Sequence, residues 1–206
     1  MFLTRPQPRG QAERGLTLIE LMITITVLGF LLAMMAPAMG TWMANSKVRG
    51  IAESLQNELR LAQSTAVERN RQAVLALTNA TPALTATPVA NGLRWFVRVL
   101  PLVSAETVDS TYLIHASTQA VQAGVTITGP ALVCFNSMGH PVTNSSTGLS
   151  VSCSAPTSAT SPITYTVAHT GADRTLKVLV YMGGQVRLCD AAKTLSSSHP
   201  DGCPSS

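Results

Sequence analysis

Ionisable and nucleophilic side chains are sparse in this sequence and stand apart from one another. The acids beyond residue 100, Glu106, Asp109, Asp173, Asp190 and Asp201, form no pair spaced for acid and base work, and His115, His140, His169 and His199 are scattered. No Gly-x-Ser-x-Gly elbow, His-Glu-x-x-His pair or phosphate-cradling loop is present. His199 and Cys203 are two potential ligands four residues apart on a proline-containing tail, short of a zinc site. The sequence therefore points away from an enzyme, and neither a cofactor nor a metal is expected. One acid does stand out by its place. Glu20 is the only ionisable residue between Leu16 and Met39, in an apolar run longer than the roughly 18 residues that suffice to cross a bilayer. A charge within such a run costs about 2.5–3.5 kcal/mol even on the lenient insertion scale, so a partner or a function is expected for it.

The remaining reactive groups are four cysteines, Cys134, Cys153, Cys189 and Cys203, with no Cys-x-x-Cys spacing. They suit an oxidising compartment. Four cysteines allow three connectivities. Cys134 with Cys153 and Cys189 with Cys203 is favoured because each pair brackets a Ser-rich or Pro-rich loop lacking an obvious core; buried thiols are the alternative.

The elements that position these groups follow from composition and periodicity. At 206 residues the chain accommodates one domain and a membrane helix. The formal charge is +4, but residues 1–15 hold Arg5, Arg9 and Arg14, leaving 11 basic and 9 acidic side chains beyond them. An alkaline pI set by that segment argues only weakly for nucleic-acid binding. Three arginines before the apolar run predict that its N-terminal side stays cytoplasmic and the rest faces outward. After Pro37, Val48, Ile51, Leu55, Leu59, Ala62 and Ala66 recur at steps of three and four, which predicts that the helix continues as an amphipathic one to a stop near Asn70. From Leu16 to Asn70 it would be about 80 Å long.

Beyond Arg71 short runs rich in Val, Leu, Ile, Thr and aromatics predict strands over 72–78, 93–100, 111–115, 125–128, 131–135, 162–168, 174–181 and 185–188. Segments 79–91 and 144–161 read as loops, the second as a flexible one. Met182-Gly183-Gly184 reads as the turn of a hairpin.

The stretch Gly15-Leu16-Thr17-Leu18-Ile19-Glu20-Leu21 resembles the cleavage and methylation signature of type IV prepilins and of the pseudopilins of type II secretion. The resemblance implies that a prepilin peptidase cuts between Gly15 and Leu16 and N-methylates Leu16, that Glu20 is the buried acid of assembly, and that Pro37 is the helix-bending proline. A cut there would give Leu16 an amine about one helical turn from Glu20, able to pair within the chain or with Glu20 of a neighbouring subunit. Two other readings compete. A basic leader with an apolar run is also a plain signal anchor, and Ala36-Pro37-Ala38 has the form of a signal-peptidase site that would release a chain starting at Met39.

Leu55, Leu59, Ala62, Ala66 and their neighbours are similar to a helical region of the GspH/FimT pseudopilin family, with Gln63 where that family usually has Arg. The end of the chain, Gly184 to Asp190 followed by Cys203, is similar to the closing strand and cysteine-bounded tail of its pilus-type branch. The implied fold is α+β and pilin-like: a leader (1–15), a membrane and filament-core helix (16–39), its amphipathic continuation (40–70) and a β-rich periplasmic head (71–206), with the long helix packed on an antiparallel sheet. The implied function is that of a minor pilin of a type IV pilus, with a type II secretion pseudopilin as the alternative. The implied partners are the prepilin peptidase, other pilin or pseudopilin subunits and the inner membrane. Some pilus-type members bind DNA through Gly-Arg-x-Arg near this tail. Here that site reads Gly184-Gln185-Val186-Arg187, so the candidate DNA contacts are Arg174, Lys177 and Arg187, weighed against an ordinary solvated strand face.

Overall fold

The computed structural model describes residues 15–103, 105–117 and 123–205, with the side chains of 35–38 outside the description. The leader as far as Arg14 and the side chain of Pro37 therefore lie outside the described residues. One helix, α1, covers Leu18–Glu68. Its start follows from Thr17, whose hydroxyl accepts the Glu20 backbone N–H at 3.2 Å and satisfies a donor that the first turn leaves open. Its end follows from Asn70, which takes φ +49. Asn70 N–H donates to Val67 O and Arg71 N–H to Ala66 O, the paired bonds of a Schellman motif, with asparagine tolerating the left-handed position.

The chain divides into two compact units, one ending at Met39 and one beginning at Gly40. In the first, every described side chain from Leu16 to Met34 is exposed.

The second unit holds the rest of α1 and two five-stranded sheets. The first sheet runs β3-β2-β1-β5-β6, made of β1 (Ala73–Thr78), β2 (Arg94–Val99), β3 (Leu113–Ala116), β5 (Leu132–Phe135) and β6 (Pro141–Val142). The second runs β10-β9-β8-β7-β4, made of β4 (Val125–Thr128), β7 (Ile163–His169), β8 (Leu176–Val180), β9 (Val186–Thr194) and β10 (Gly202–Cys203). Each expected strand has its counterpart within a residue or two, except that the one expected over 185–188 runs on as β9 to Thr194. The expected antiparallel β head on the long helix is present as two sheets, of which the second ends in one parallel pair, β9 with β10.

Both sheets turn one face to α1. Val48, Ala52, Leu55, Leu59, Ala62 and Ala66 are fully buried against β1, β2 and β5 of one sheet and β7, β8 and β9 of the other. Ile51, expected in this stripe, is only half-buried, and Ala44, Ala52 and Thr65 join it. The alanines let the backbone approach the sheets closely, and the leucines fill the seam between them. A second, smaller core covers the other face of the first sheet, where Val74, Phe96, Leu132 and Cys134 meet Ala86, Leu149 and Cys153 from the loops. Residues 144–154 of the segment 144–161, read as flexible, are thus held down. Thr147 is buried with its hydroxyl donating to Val151 O at 2.7 Å, and Cys153 N–H donates to Asn144 O.

Candidate functional site

Gly15 and Leu16 precede the helix, both exposed, Leu16 to 75%. A Cβ placed on Gly15 would meet nothing within 4 Å, so packing does not require a glycine there. Glu20 lies in the first turn of α1, where a carboxylate also suits the positive end of the helix dipole. Thr17-Leu-Ile-Glu20 is the Thr-x-x-Glu signature of a capping box, a signal present in the sequence that the reading of Glu20 as an isolated acid passed over.

The other polar side chains of this segment are turned inward on the helix. Thr24 Oγ1 donates to Leu21 O at 2.8 Å and Thr26 Oγ1 to Ile23 O at 2.8 Å. Around them Leu18, Ile19, Ile23, Leu28, Phe30 and Leu32 cover every side of the helix and are all more than half exposed. A helix apolar all round requires lipid or other helices as its surroundings. Among the described residues no single helix is long and apolar enough to cross a membrane, whereas the segments Leu18–Met34 and Met39–Glu68 together meet that test by length and composition.

In the head, disulfides join Cys134 to Cys153 (Cα–Cα 5.6 Å) and Cys189 to Cys203 (Cα–Cα 5.0 Å). The first pins segment 144–154 across β5; the second holds the tail along β9. The basic residues are only partly brought together. In the β8–β9 register Lys177 pairs with Cys189 and Leu179 with Arg187, so Lys177 and Arg187 share a face. Arg187 Nη2, however, donates to Pro200 O at 2.9 Å and to Gly202 O at 3.4 Å, committed to the tail. Arg174 lines a cavity of about 580 Å³ together with Arg49, Asp173, Asp190 and Asp201, and among the described residues no carboxylate lies within salt-bridge distance of it.

Two polar clusters of the head went unseen in the sequence. Gln63, on the helix, donates from its side-chain nitrogen to Gly139 O at 2.8 Å and to Gly184 O at 2.9 Å. Glu58 meets His115 Nδ1 at 2.9 Å on the helix-facing side of β3. Burial raises the Glu58 carboxyl above its ordinary value, against the opposing pull of His115. Glu58 Oε2 and the Trp95 indole nitrogen are both buried without a hydrogen bond. The indole still favours the carboxylate electrostatically, though it lies outside hydrogen-bond geometry.

With this geometry described, comparison with known proteins is specific. The family model described as Type II transport protein GspH matches residues 52–184. The chain belongs to that family. A second model, the prokaryotic N-terminal methylation motif, matches residues 10–36, spanning Gly15, Leu16 and Glu20. The chain is thus a GspH-type type II transport protein that carries an N-terminal methylation motif. Among solved structures it is similar to the type IV minor pilin FimU of Pseudomonas aeruginosa, at 15% identity and TM-score 0.46 over 72% of this chain and 92% of that one. It is also similar to the minor pseudopilin EpsH of the type 2 secretion system of Vibrio cholerae, at 13% identity and TM-score 0.43 over 71% of this chain and 99% of that one. No curated protein matches the chain.

In this GspH-family subunit the stripe from Ala52 to Ala66 lies inside the family match, while Val48 at its start and Val186 of β9 fall just outside it. The methylation-motif match ends at Ala36, and the apolar segment is thus matched separately from the head.

Proposed function

We propose that prepilin peptidase cleaves this chain after Gly15 and N-methylates Leu16, and that the mature subunit enters a type IV pilus as a minor component that primes the filament or stands at its tip. Before assembly it resides in the inner membrane as a single-pass protein with its head in the periplasm. The observation that carries this reading is the segment from Leu16 to Met34, exposed and apolar on every side, with Glu20 as its one acid, inside the methylation-motif match. Such a helix is satisfied by lipid first and by the equivalent helices of other subunits afterwards. Glu20 would then meet the Leu16 amine of its own chain or of a neighbour. The unconstrained surroundings of Gly15 support the cut, because its requirement comes from what acts on the chain and not from packing.

The type IV pilus is preferred on the cysteine-bounded tail. A type II secretion pseudopilin is the second reading, favoured by the description of the family itself. A DNA-capturing role draws little from the geometry, since Arg187 is held by tail carbonyls and Arg174 shares its cavity with aspartates.

Intact mass and N-terminal sequencing of the protein from its native membrane test the processing step. N-methyl-Leu16 is the expected first residue. A start at Met39 would make it a secreted domain and an uncut Met1 a plain anchor, and either would remove the role given to Glu20.

A further inference from the structure

β2 places an arginine where the residues on either side along the same face are core. Phe96, Arg98 and Leu100 alternate onto the side of the first sheet away from α1, and Phe96 and Leu100 belong to the smaller core there. Arg98 is only 4% exposed. Among the described residues no carboxylate lies within salt-bridge distance of it. Its Nη1 donates to Leu84 O at 3.1 Å, and its Nε reaches only the Val99 carbonyl at 3.4 Å. Burial pulls its pKa below the ordinary guanidinium range without removing the charge. A buried cation with two neutral acceptors is costlier than an apolar side chain of like size, so packing alone does not account for it. The β2–β3 register also shifts at this residue, between Val97 and Arg98, a device that re-aims side chains.

Arg98 lines a cavity of about 720 Å³ between segments 84–87, 101–103 and 146–150. Leu102 and Val103 stand 67% and 62% exposed at its mouth, with Leu149 behind them and Ser146 and Ser150 at one side. The carboxylate at the rim, Glu106, is already engaged: Oε1 accepts from Arg71 at 3.1 Å and Oε2 from the Leu102 N–H at 2.8 Å.

We infer that this cavity binds an acidic side chain of a partner polypeptide, with the Arg98 guanidinium as its anchor. The guanidinium fork matches a carboxylate. Leu102, Val103 and Leu149 offer apolar contact to the aliphatic stem that carries it. Glu106 beside the site disfavours a dianion such as phosphate, and the volume suits a few residues of chain over a lone small acid. The inference goes beyond the filament assignment and is tested without a filament, so either can fail alone.

The test uses the full chain in detergent micelles, labelled with ¹⁵N in its arginines, with the Arg98 Nε–H resonance as readout. Four probes are titrated: acetyl-Ala-Leu-Glu-amide, its Gln analogue, valerate and inorganic phosphate. Saturable shifts are expected with the Glu peptide, and binding weaker by about tenfold or more with the Gln analogue, since a charge-assisted bond is lost. Arg98→Met is expected to abolish binding of the Glu peptide, followed on the peptide's own resonances, while keeping the melting temperature. Arg98→Lys, which keeps the charge and loses the fork, should weaken binding and serves if the Met variant does not fold. Equal response to the Glu and Gln peptides, or undiminished binding by both variants, would overturn the site. Tighter binding of phosphate, or valerate binding as well as the peptide, would overturn the ligand assigned to it.

Discussion

The side-chain nitrogen of Gln63 donates to Gly184 O at 2.9 Å, and its second hydrogen goes to Gly139 O at 2.8 Å. One amide on α1 thereby ties the turn between β8 and β9 of the second sheet to the turn between β5 and β6 of the first. Gln63→Ala leaves two part-buried carbonyls without their donor, and a loss of about 1–3 kcal/mol is expected in urea unfolding of the head. Gln63→Arg, which restores the residue usual in the resembled family, keeps donors at this height and should lose less than the alanine variant. Equal losses would mean that the bonds contribute nothing beyond packing.

The same contact explains one glycine of the Gly183-Gly184 pair and not the other. Gly184 has φ +83, and a Cβ there would press on the Gly139 carbonyl and the Gln63 amide; a Cβ on Gly183 would meet nothing within 4 Å. Gly184→Ala is expected to destabilise by about 1–3 kcal/mol through backbone strain and displacement of Gln63. Gly183→Ala should stay within about 0.5 kcal/mol. Thermal unfolding of the two variants side by side checks the difference.

These residues mark where the sequence was legible and where it was not. The helix stripe, the strand positions and the stop at Asn70 all rest on local signals: periodicity, β-branched runs and a residue that tolerates the left-handed conformation. Gln63, Glu58 and Arg98 lie in stretches whose pattern assigns them no role. Their partners, Gly184, His115 and Leu84, are fixed only when strands distant in sequence meet the helix or a loop. The parallel β10 was equally hidden, because Gly202–Cys203 has no strand propensity and pairs through a disulfide to β9. At the N-terminus the roles expected of Gly15, Leu16 and Glu20 rest on a motif alone, and their surroundings add the Thr17 cap.

Glu58 gives the head a pH dependence of definite sign. Burial raises its carboxyl above the 4.5 of an exposed glutamate, with His115 and the Trp95 indole opposing. The folded state therefore holds the proton more tightly than the unfolded one. Its stabilising contribution is complete below pH 4.5 and is lost as pH rises through the elevated folded value. Glu58→Gln cannot ionise, so its stability relative to the parent protein should improve between pH 4 and pH 7. Urea unfolding at both values checks this, and a relative decline would contradict it.

The tail disulfide predicts a local effect. Cys189–Cys203 closes a short loop, and the tail beside it is held further by the Leu195 N–H to Cys203 O, Asp190 N–H to Asp201 O and Gly202 N–H to His199 O bonds and by Arg187. Cys203→Ser should cost up to about 3 kcal/mol, the chain-entropy value for a loop of about 15 residues. Hydrogen exchange should rise at Asp190, Leu195 and Gly202, whose N–H groups are bonded within this tail, and stay low in β7 and β8. Exchange rising equally in β7 would mean that the tail supports the whole core.

Glu20 has two candidate roles that substitution separates. As the last residue of the Thr17 capping box it helps start α1; as the one charge of the apolar segment it would neutralise the Leu16 amine during assembly. Thr17→Ala removes the hydroxyl that accepts the Glu20 N–H and is expected to fray the first turn, at a cost of about 1 kcal/mol, with filament incorporation reduced but present. Glu20→Gln keeps a polar side chain that can reach back to the cap and removes the charge. If charge pairing governs assembly, Glu20→Gln abolishes incorporation as completely as Glu20→Ala while cleavage after Gly15 continues. Incorporation restored by Gln but not by Ala would make capping, not charge, the reason for an acid at this position.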